Sequence, residues 1–434
     1  MKKLNFLSSF QNSKLVMNFV STLLGSGTSK FILTIATFLF ANMLTKMEFG
    51  EFSFVRNTLN TILCVCALNF TALCTKFTVE SKCEIAAFNK LVYVFLFSFC
   101  VSVLTGFFLV FSPDSLLLSF LGSPTVVFSF RIIGVLLPLF LLQPLIEGVL
   151  RGLMMFKLIG ILQTVSALFF VLIIWEGIKF QGVNGALIGI IIYYTVYAMI
   201  SVIVLYKKFP IRSLWTNIGS FIKEKNVLHK MIIPIFFMSF FEAPVMWVAQ
   251  VLLSKFGSME AIGSMMAIMQ IKNLVILIPM YFTSTFLAFA GELNARKDYL
   301  EYFRKIDHFV FLFLVAGLIL VLILSVSSKF ILSLYGSSYV SDWFVLVISN
   351  LGIPVIMLIN LFRIDLILQE HQDYLFYISI AWNSIWLISL FVFLKLGIPA
   401  LESFFYSQLL GWGFNLLGYY FVYCMDKKSL LRNF

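Results

Sequence analysis

The chain has few charged residues, few histidines and no cysteine pattern that suggests a metal site or a disulfide framework. Only 12% of its 434 residues are charged, and three are histidines. The six cysteines include no C-x-x-C pair. The glycine-rich segment 25–30 lacks the G-x-x-x-x-G-K-[ST] spacing of a phosphate loop and interrupts an apolar run. These absences argue against an ordinary soluble enzyme.

Apolar residues dominate instead, at 61% of the chain with 51 phenylalanines. They form continuous runs of the length that an α-helix needs to cross a bilayer. We therefore predict an all-α polytopic membrane protein with about twelve transmembrane helices, the first of them retained rather than cleaved as a signal peptide. The predicted spans are 18–44, 52–74, 90–112, 126–149, 157–176, 183–206, 231–254, 261–290, 309–328, 342–368, 374–394 and 399–424.

The positive charges predict the topology. With both termini in the cytoplasm, most of the 31 Lys and Arg residues fall in cytoplasmic connections, as the positive-inside rule requires. The net charge of +11 is thus a topology signal, and no nucleic-acid partner is expected. The longest polar connection, 207–230, predicts a cytoplasmic linker between two six-helix lobes, 1–206 and 231–434. Weak similarity between the halves fits a parallel repeat.

Five cations lie within the predicted spans, and three of them are the candidates for a cavity: Lys30, Arg56 and Lys272. A cation near the bilayer midplane costs roughly 2.5–3.5 kcal/mol on insertion scales. Lys30 lies about 12 residues into its span, or roughly 18 Å at 1.5 Å per residue, too deep for easy snorkelling. We predict that the three cations line a cavity and bind a negatively charged cargo, the alternative being that they snorkel to a surface.

Other charged residues in the spans allow several roles. Glu242 is the deepest acid, and it is either a counter-ion for one of the cations or a site for H⁺ or Na⁺ coupling. Arg131 near an outer helix end favours snorkelling over a role as a secondary charge. Glu147, Arg363 and Asp365 lie near cytoplasmic ends, where a gate ion pair and solvated helix ends are both open.

Three short motifs carry a family resemblance. The segment Leu44–Ser53 matches the pattern L-x-x-x-[DE]-[FY]-G-x-[FY]-[ST], which polysaccharide exporters have between their first two helices. Gly148–Lys157 is similar to the turn after their fourth helix, and Ile331–Tyr339 to their I-L-x-L-[YF]-G-x-x-[YF] segment. In this order and with twelve spans, the chain resembles the Wzx-type O-antigen flippases of the multidrug/oligosaccharidyl-lipid/polysaccharide (MOP) exporter superfamily.

The resemblance implies a MATE-like fold of two six-helix lobes around a central cavity lined by helices one, two, seven and eight. It implies a multi-pass protein of the bacterial inner membrane that flips undecaprenyl-diphosphate-linked oligosaccharide by alternating access, without catalysis or a cofactor. An O-antigen polymerase and a chain-length regulator are candidate partners. The alternatives are an ion-coupled multidrug exporter or another lipid-linked glycan exporter of the same fold, and a polytopic polymerase or ligase, although these enzymes commonly need a long outer loop.

Overall fold

The computed structural model describes residues 14–67, 70–80, 85–121, 124–208, 232–233, 236, 244–369 and 371–432. Helices dominate these ranges, and no β-strand occurs within them. The predicted all-α fold class is therefore confirmed. Glu242 and nearly all of the predicted 207–230 linker lie outside the described residues.

The first half of the chain contains eight described helical elements. Seven of them match the first six predicted spans, with a break inside the second span, another inside the fourth, and the fifth and sixth joined end to end. The eighth, Asp114–Leu121, lies between the third and fourth predicted spans. The elements are α1 (Lys14–Met43), α2 (Lys46–Cys66), α3 (Thr71–Glu80), α4 (Ile85–Phe111), α5 (Asp114–Leu121), α6 (Pro124–Phe140), α7 (Leu142–Gly152) and α8 (Phe156–Lys208).

The second half contains the remaining helices. A 3-10 turn at Ser337–Asp342 leads into the predicted tenth span, which is divided into two helices at Leu351. The elements are α9 (Pro244–Phe256), α10 (Met259–Ala295), α11 (Tyr299–Val326), α12 (Ser328–Ser333), α13 (Trp343–Asn350), α14 (Gly352–Leu368), α15 (Gln372–Lys395) and α16 (Ala400–Arg432).

The long element α8 is two helices joined by a reversal of the chain. Gln181 and Gly182 leave the helical conformation, and Gly182 takes φ of 58°, which glycine adopts without a steric penalty. The segments on either side pack closely, because a Cβ added to Gly185 would lie 1.9 Å from the carbonyl oxygen of Gly177. The break falls between the fifth and sixth predicted spans, as the sequence predicts.

Eight described helical segments are long and apolar enough to cross a membrane, α8 being counted once. Many of their large apolar side chains are exposed, for example Phe107, Leu172, Phe311 and Leu322. An apolar outer surface of this kind suits contact with lipid rather than water. The chain is thus a multi-pass membrane protein.

By internal contacts the chain divides into two compact units. The first comprises Met1–Leu44 and Glu51–Trp247, and the second Thr45–Gly50 and Val248–Phe434. Two contacts explain the boundaries. The Trp247 indole donates to Thr58 Oγ1 at 3.1 Å inside the first unit. Lys46 Nζ lies 2.6 Å from Asp342 Oδ2 inside the second. The short segment 45–50 therefore packs with helices that are remote from it in sequence. The predicted lobes, 1–206 and 231–434, had placed this segment with the first half of the chain.

Gly50 allows a close helix contact inside the second unit, and this generates a stability prediction. A Cβ at Gly50 would lie 1.9 Å from the carbonyl oxygen of Met259, and one at Gly263 would lie 2.3 Å from that of Lys46. We expect Gly50→Ala to destabilise the protein by about 1–3 kcal/mol through overpacking. Thermal unfolding of the purified protein in detergent measures the effect.

Gly413 provides the control for this prediction. It also lies within a helix of the second unit, but a Cβ there would meet no atom within 4 Å. Gly413→Ala should therefore be neutral or raise the melting temperature, because alanine is the better helix former. Equal melting temperatures for Gly50→Ala and the native chain would contradict the packing argument.

Candidate functional site

A polar pocket lies inside the first unit, with a volume of about 330 Å³. Charged, amide and phenol side chains from α1, α7 and the two helices of α8 surround it. The residues that line it are Ser29, Lys30, Leu33, Gln143, Glu147, Arg151, Gln163, Ala167, Tyr193 and Tyr197.

Glu147 is the hub of the pocket. Its carboxylate accepts hydrogen bonds from Tyr197 OH at 2.6 Å, Gln143 Nε2 at 3.1 Å and Gln163 Nε2 at 3.2 Å. The Arg151 guanidinium stands 3.8 Å away. Only 12% of the Glu147 side chain is exposed. Three hydrogen bonds and one nearby positive charge thus compensate the hydration that the buried carboxylate loses.

Helical spacing explains why these side chains converge. Gln143, Glu147 and Arg151 follow one another at intervals of four residues on α7, and Tyr193 and Tyr197 do so on α8. Residues four apart share one face of a helix, so each helix presents a polar stripe. Of the residues that line the pocket, only Glu147 and Lys30 were predicted from the sequence. The four-residue spacing of the polar residues on α7 and α8 is the signal that would have identified Gln143, Arg151 and the two tyrosines.

Lys30 reaches the same pocket from α1. Its side chain is exposed, and no carboxylate of the described part of the chain lies within ion-pair distance of its ammonium. The helix packs along α8, which carries Gln163, Tyr193 and Tyr197. Lys30 therefore brings positive charge to a pocket whose acid already has several partners.

Arg56 lies next to this pocket in the same unit. Its guanidinium is 5.2 Å from the centre of the Phe170 ring, within the range of a cation–π contact. The Phe170 ring in turn meets the Tyr193 ring edge-on at 4.8 Å. Arg56 also interacts electrostatically with Tyr193 and Tyr194. The first unit thus assembles Lys30, Arg56 and the Glu147 hub around one group of tyrosines.

Lys272 has a different environment, inside the second unit. Its side chain is 1% exposed, and Nζ donates to Gln408 Oε1 at 2.9 Å. The rings of Trp412 and Phe405 lie 4.3 and 5.5 Å from the ammonium. No carboxylate among the described residues pairs with it. Its predicted role in binding cargo stays a prediction, since this structure encloses the ammonium in protein.

The remaining predicted charges are dispersed. Arg131 donates to the carbonyl oxygens of Val110 and Ser112 and pairs with Asp114. It therefore links the C-terminal end of α4 to the first residue of α5. Arg363 is exposed. Asp365, two residues further along the same helix, is fully buried and accepts a hydrogen bond from a tyrosine of the second unit. A gate ion pair between the halves stays a prediction.

The described residues contain no group of three or more His, Cys, Asp or Glu side chains that could hold a metal ion. No protein-family model matches the chain, and no curated protein sequence does either. Solved structures do match. A multidrug resistance MATE family transporter of the MOP superfamily, in an inward-facing conformation, superposes with a TM-score of 0.77 at 11% identity, over 95% of this chain and 99% of that one.

The fold is that of the MOP-superfamily transporters. A MOP transporter from Pyrococcus furiosus matches with a TM-score of 0.65 at 12% identity, over 95% of this chain and 94% of its own. A Vibrio cholerae MATE transporter matches with a TM-score of 0.56 at 16% identity, over 96% and 98%. These superpositions establish the fold that the resemblance implied. At such low sequence identities the fold does not determine the chemistry of the site, which depends on this chain's own residues.

The Glu147 hub generates a stability prediction. Glu147→Ala leaves the donors of Gln143, Gln163 and Tyr197 without their common acceptor, which should lower stability by about 1–3 kcal/mol. Glu176→Ala is the control, because Glu176 is exposed and pairs only with exposed Lys179. It should change stability by at most about 0.5 kcal/mol. Thermal unfolding in detergent measures both effects. Equal melting temperatures for the two variants would contradict a stabilising role of Glu147.

Proposed function

We propose that the protein is a flippase that moves undecaprenyl-diphosphate-linked oligosaccharide units from the cytoplasmic to the outer leaflet of a bacterial inner membrane. One observation carries the proposal: the polar pocket of the first unit has more positive charge than its acid can neutralise. Lys30 and Arg151 line it with one carboxylate, Glu147, and Arg56 adds a third cation beside it.

A diphosphate suits this arrangement of donors. Its charge is spread over several oxygens, so it is bound best by several charged and neutral donors together. Arg56 supplies a planar fork of N–H donors and Lys30 a mobile ammonium, which are complementary ways of binding phosphate. The tyrosine hydroxyls and glutamine amides can in turn bind the hydroxyl groups of sugars.

The fold supports a transport role for these groups. Structural neighbours with this fold are described in both an inward-facing and an outward-facing conformation. Two such conformations are what alternating access requires. For the Pyrococcus furiosus neighbour, a reversed polarity of the binding pocket is said to suggest a different function. We apply the same reasoning here, and take the sign of the pocket charge as the guide to the cargo.

A MATE-like multidrug exporter is the second candidate. The observations in its favour are the MATE transporters among the structural neighbours and the composition of the pocket, since Glu147 with the rings of Tyr193 and Tyr197 could receive an organic cation. Lys30 and Arg151 oppose this, because they would repel a cation in the same space. The two candidates differ in the charge of the preferred ligand, which is measurable.

Ligand binding separates the candidates. With the purified chain in nanodiscs, native mass spectrometry should detect undecaprenyl diphosphate and much weaker binding of undecaprenol or ethidium. Lys30→Ala and Arg56→Ala should each weaken diphosphate binding roughly 10- to 100-fold, as expected for loss of a hydrogen bond to a charged group of about 1.5–3 kcal/mol.

Lys395→Ala is the matched control for these variants. Lys395 also lies over aromatic rings, 5.2 Å from Phe256 and 5.6 Å from Phe391, but at the exposed end of α15. Its loss removes one cation and two cation–π contacts, and should leave diphosphate binding unchanged. Tighter binding of ethidium than of undecaprenyl diphosphate would favour the multidrug exporter instead.

Lys272→Met tests whether transport needs the enclosed cation. Methionine keeps much of the length and the apolar packing of the lysine stem, and replacing a buried charge by an apolar group is often neutral or stabilising. We therefore expect unchanged or higher thermal stability, together with loss of flipping of labelled undecaprenyl-diphosphate-linked sugar in proteoliposomes. Full flipping activity in Lys272→Met would assign Lys272 to packing alone, while binding by Lys30 and Arg56 would still stand.

A further inference from the structure

A second buried acid lies apart from the polar pocket, inside the second unit. Asp365 is 0% exposed and lies in the last turn of α14, at its predicted cytoplasmic end. Its neighbours include the core residues Tyr302, Phe362 and Tyr423. Tyr302 OH donates to Asp365 Oδ1 at 2.7 Å. The other oxygen, Oδ2, is buried and finds no hydrogen-bond donor in the described part of the chain.

Asp426 of α16 lies beside Asp365. His371 links the two acids, because its backbone N–H donates at 2.8 Å to the carbonyl oxygen of Leu366, the residue after Asp365, and its ring binds Asp426. The Asp426 carboxyl group is in turn a hydrogen-bond partner of the Asp365 carboxyl group. Asp426 Oδ1 is 2.9 Å from His371 Nε2, whereas Asp426 Oδ2 is buried and, like Asp365 Oδ2, finds no donor among the described residues. A hydrogen bond between two carboxyl groups requires a proton on one of them, because two carboxylates can only accept.

Among the described residues, the charges around the pair do not neutralise it. From α11 the neighbouring titratable groups are Tyr302 and Asp307, from α16 they are Tyr423 and Lys427, and His371 follows α14. Lys427 Nζ is already bound to Asp307 Oδ2 at 2.6 Å, and Tyr423 OH donates to Asp307 Oδ1. His371 offers at most one positive charge for two carboxylates. The end of α14 adds a negative helix dipole, which further disfavours ionised Asp365.

We propose that Asp365 and Asp426 form a proton-binding site, in which the two carboxyl groups hold one proton between them. The proton supplies the donor that the buried Oδ2 atoms lack, and it leaves one negative charge for His371 and Tyr302 to stabilise. A metal ion fits less well, since the described residues offer no group of three or more His, Cys, Asp or Glu ligands. The site is independent of the cargo and of the polar pocket in the first unit.

Infrared spectroscopy of the purified full chain in nanodiscs detects such a proton directly. A protonated carboxyl group has a C=O stretching band that an ionised one lacks, and deuteration shifts it. The native chain at neutral pH should show this band. Asp365→Asn and Asp426→Asn should each remove it. Asp307→Asn should retain the band, because the Asp307 carboxylate is already bound by a lysine and a tyrosine of α16.

The outcomes separate the readings. Absence of the band from the native chain would overturn the proposal and place any proton on His371. A band that survives in both Asp365→Asn and Asp426→Asn would also overturn it, and would assign the proton to another buried acid such as Glu51.

Stability gives a second measurement. Asparagine at position 365 can still accept from Tyr302, and its amide can donate to Asp426 as the shared proton would. Asp365→Asn should therefore melt at or above the temperature of the native chain, and Asp365→Ala below it. A loss in Asp365→Asn as large as in Asp365→Ala would contradict a protonated pair, since it would mean that the native structure needs the charge.

Discussion

An ionisable group in the interior of a membrane protein has to find its partners within the protein, because the hydrocarbon around it offers none. Leaving an ion without compensation costs several kcal/mol, more than any single contact returns. Three ionisable groups among the described residues meet that requirement differently. Glu147 accepts three hydrogen bonds and has Arg151 nearby, while Lys272 combines one amide oxygen with two aromatic rings. Asp365 has a tyrosine and a neighbouring acid.

The cations Lys272 and Lys30 differ in how far the protein encloses them. In the second unit Lys272 is enclosed, and its hydrogen bond and cation–π contacts are worth about 1.5–3 and 0.5–2 kcal/mol respectively. Together they offset an insertion cost of roughly 2.5–3.5 kcal/mol. In the first unit Lys30 is exposed, and among the described residues its ammonium has no such contact. A cation of this kind next to a polar pocket gains most from an anionic ligand. The proposed function therefore rests on Lys30, with Arg56 beside it, more than on Lys272.

The sequence predicted the fold well, because the length and continuity of apolar runs follow directly from the thickness of a bilayer. It also located the reversal in α8, where Gln181 and Gly182 separate two runs. It did not predict that 45–50 would join the second unit, since that depends on Gly50 fitting against Met259, remote in sequence. Burial was equally hard to predict. Lys30 and Lys272 have the same depth in their spans, and only the packing around them decides that one is exposed and the other enclosed.

The known structures with this fold have few residues in common with this chain. Chains that share only 11–16% of their residues with this one adopt its fold, so the fold places few constraints on individual side chains. Helix packing can be met by many apolar sequences of similar volume. Charges cannot be exchanged so freely, because each one in the interior is costly and needs compensation. Under the proposed function, the positions of Lys30, Arg56 and Arg151 around Glu147 are therefore the features that select the cargo, and the net positive charge of that cluster is the physical argument for an anionic one.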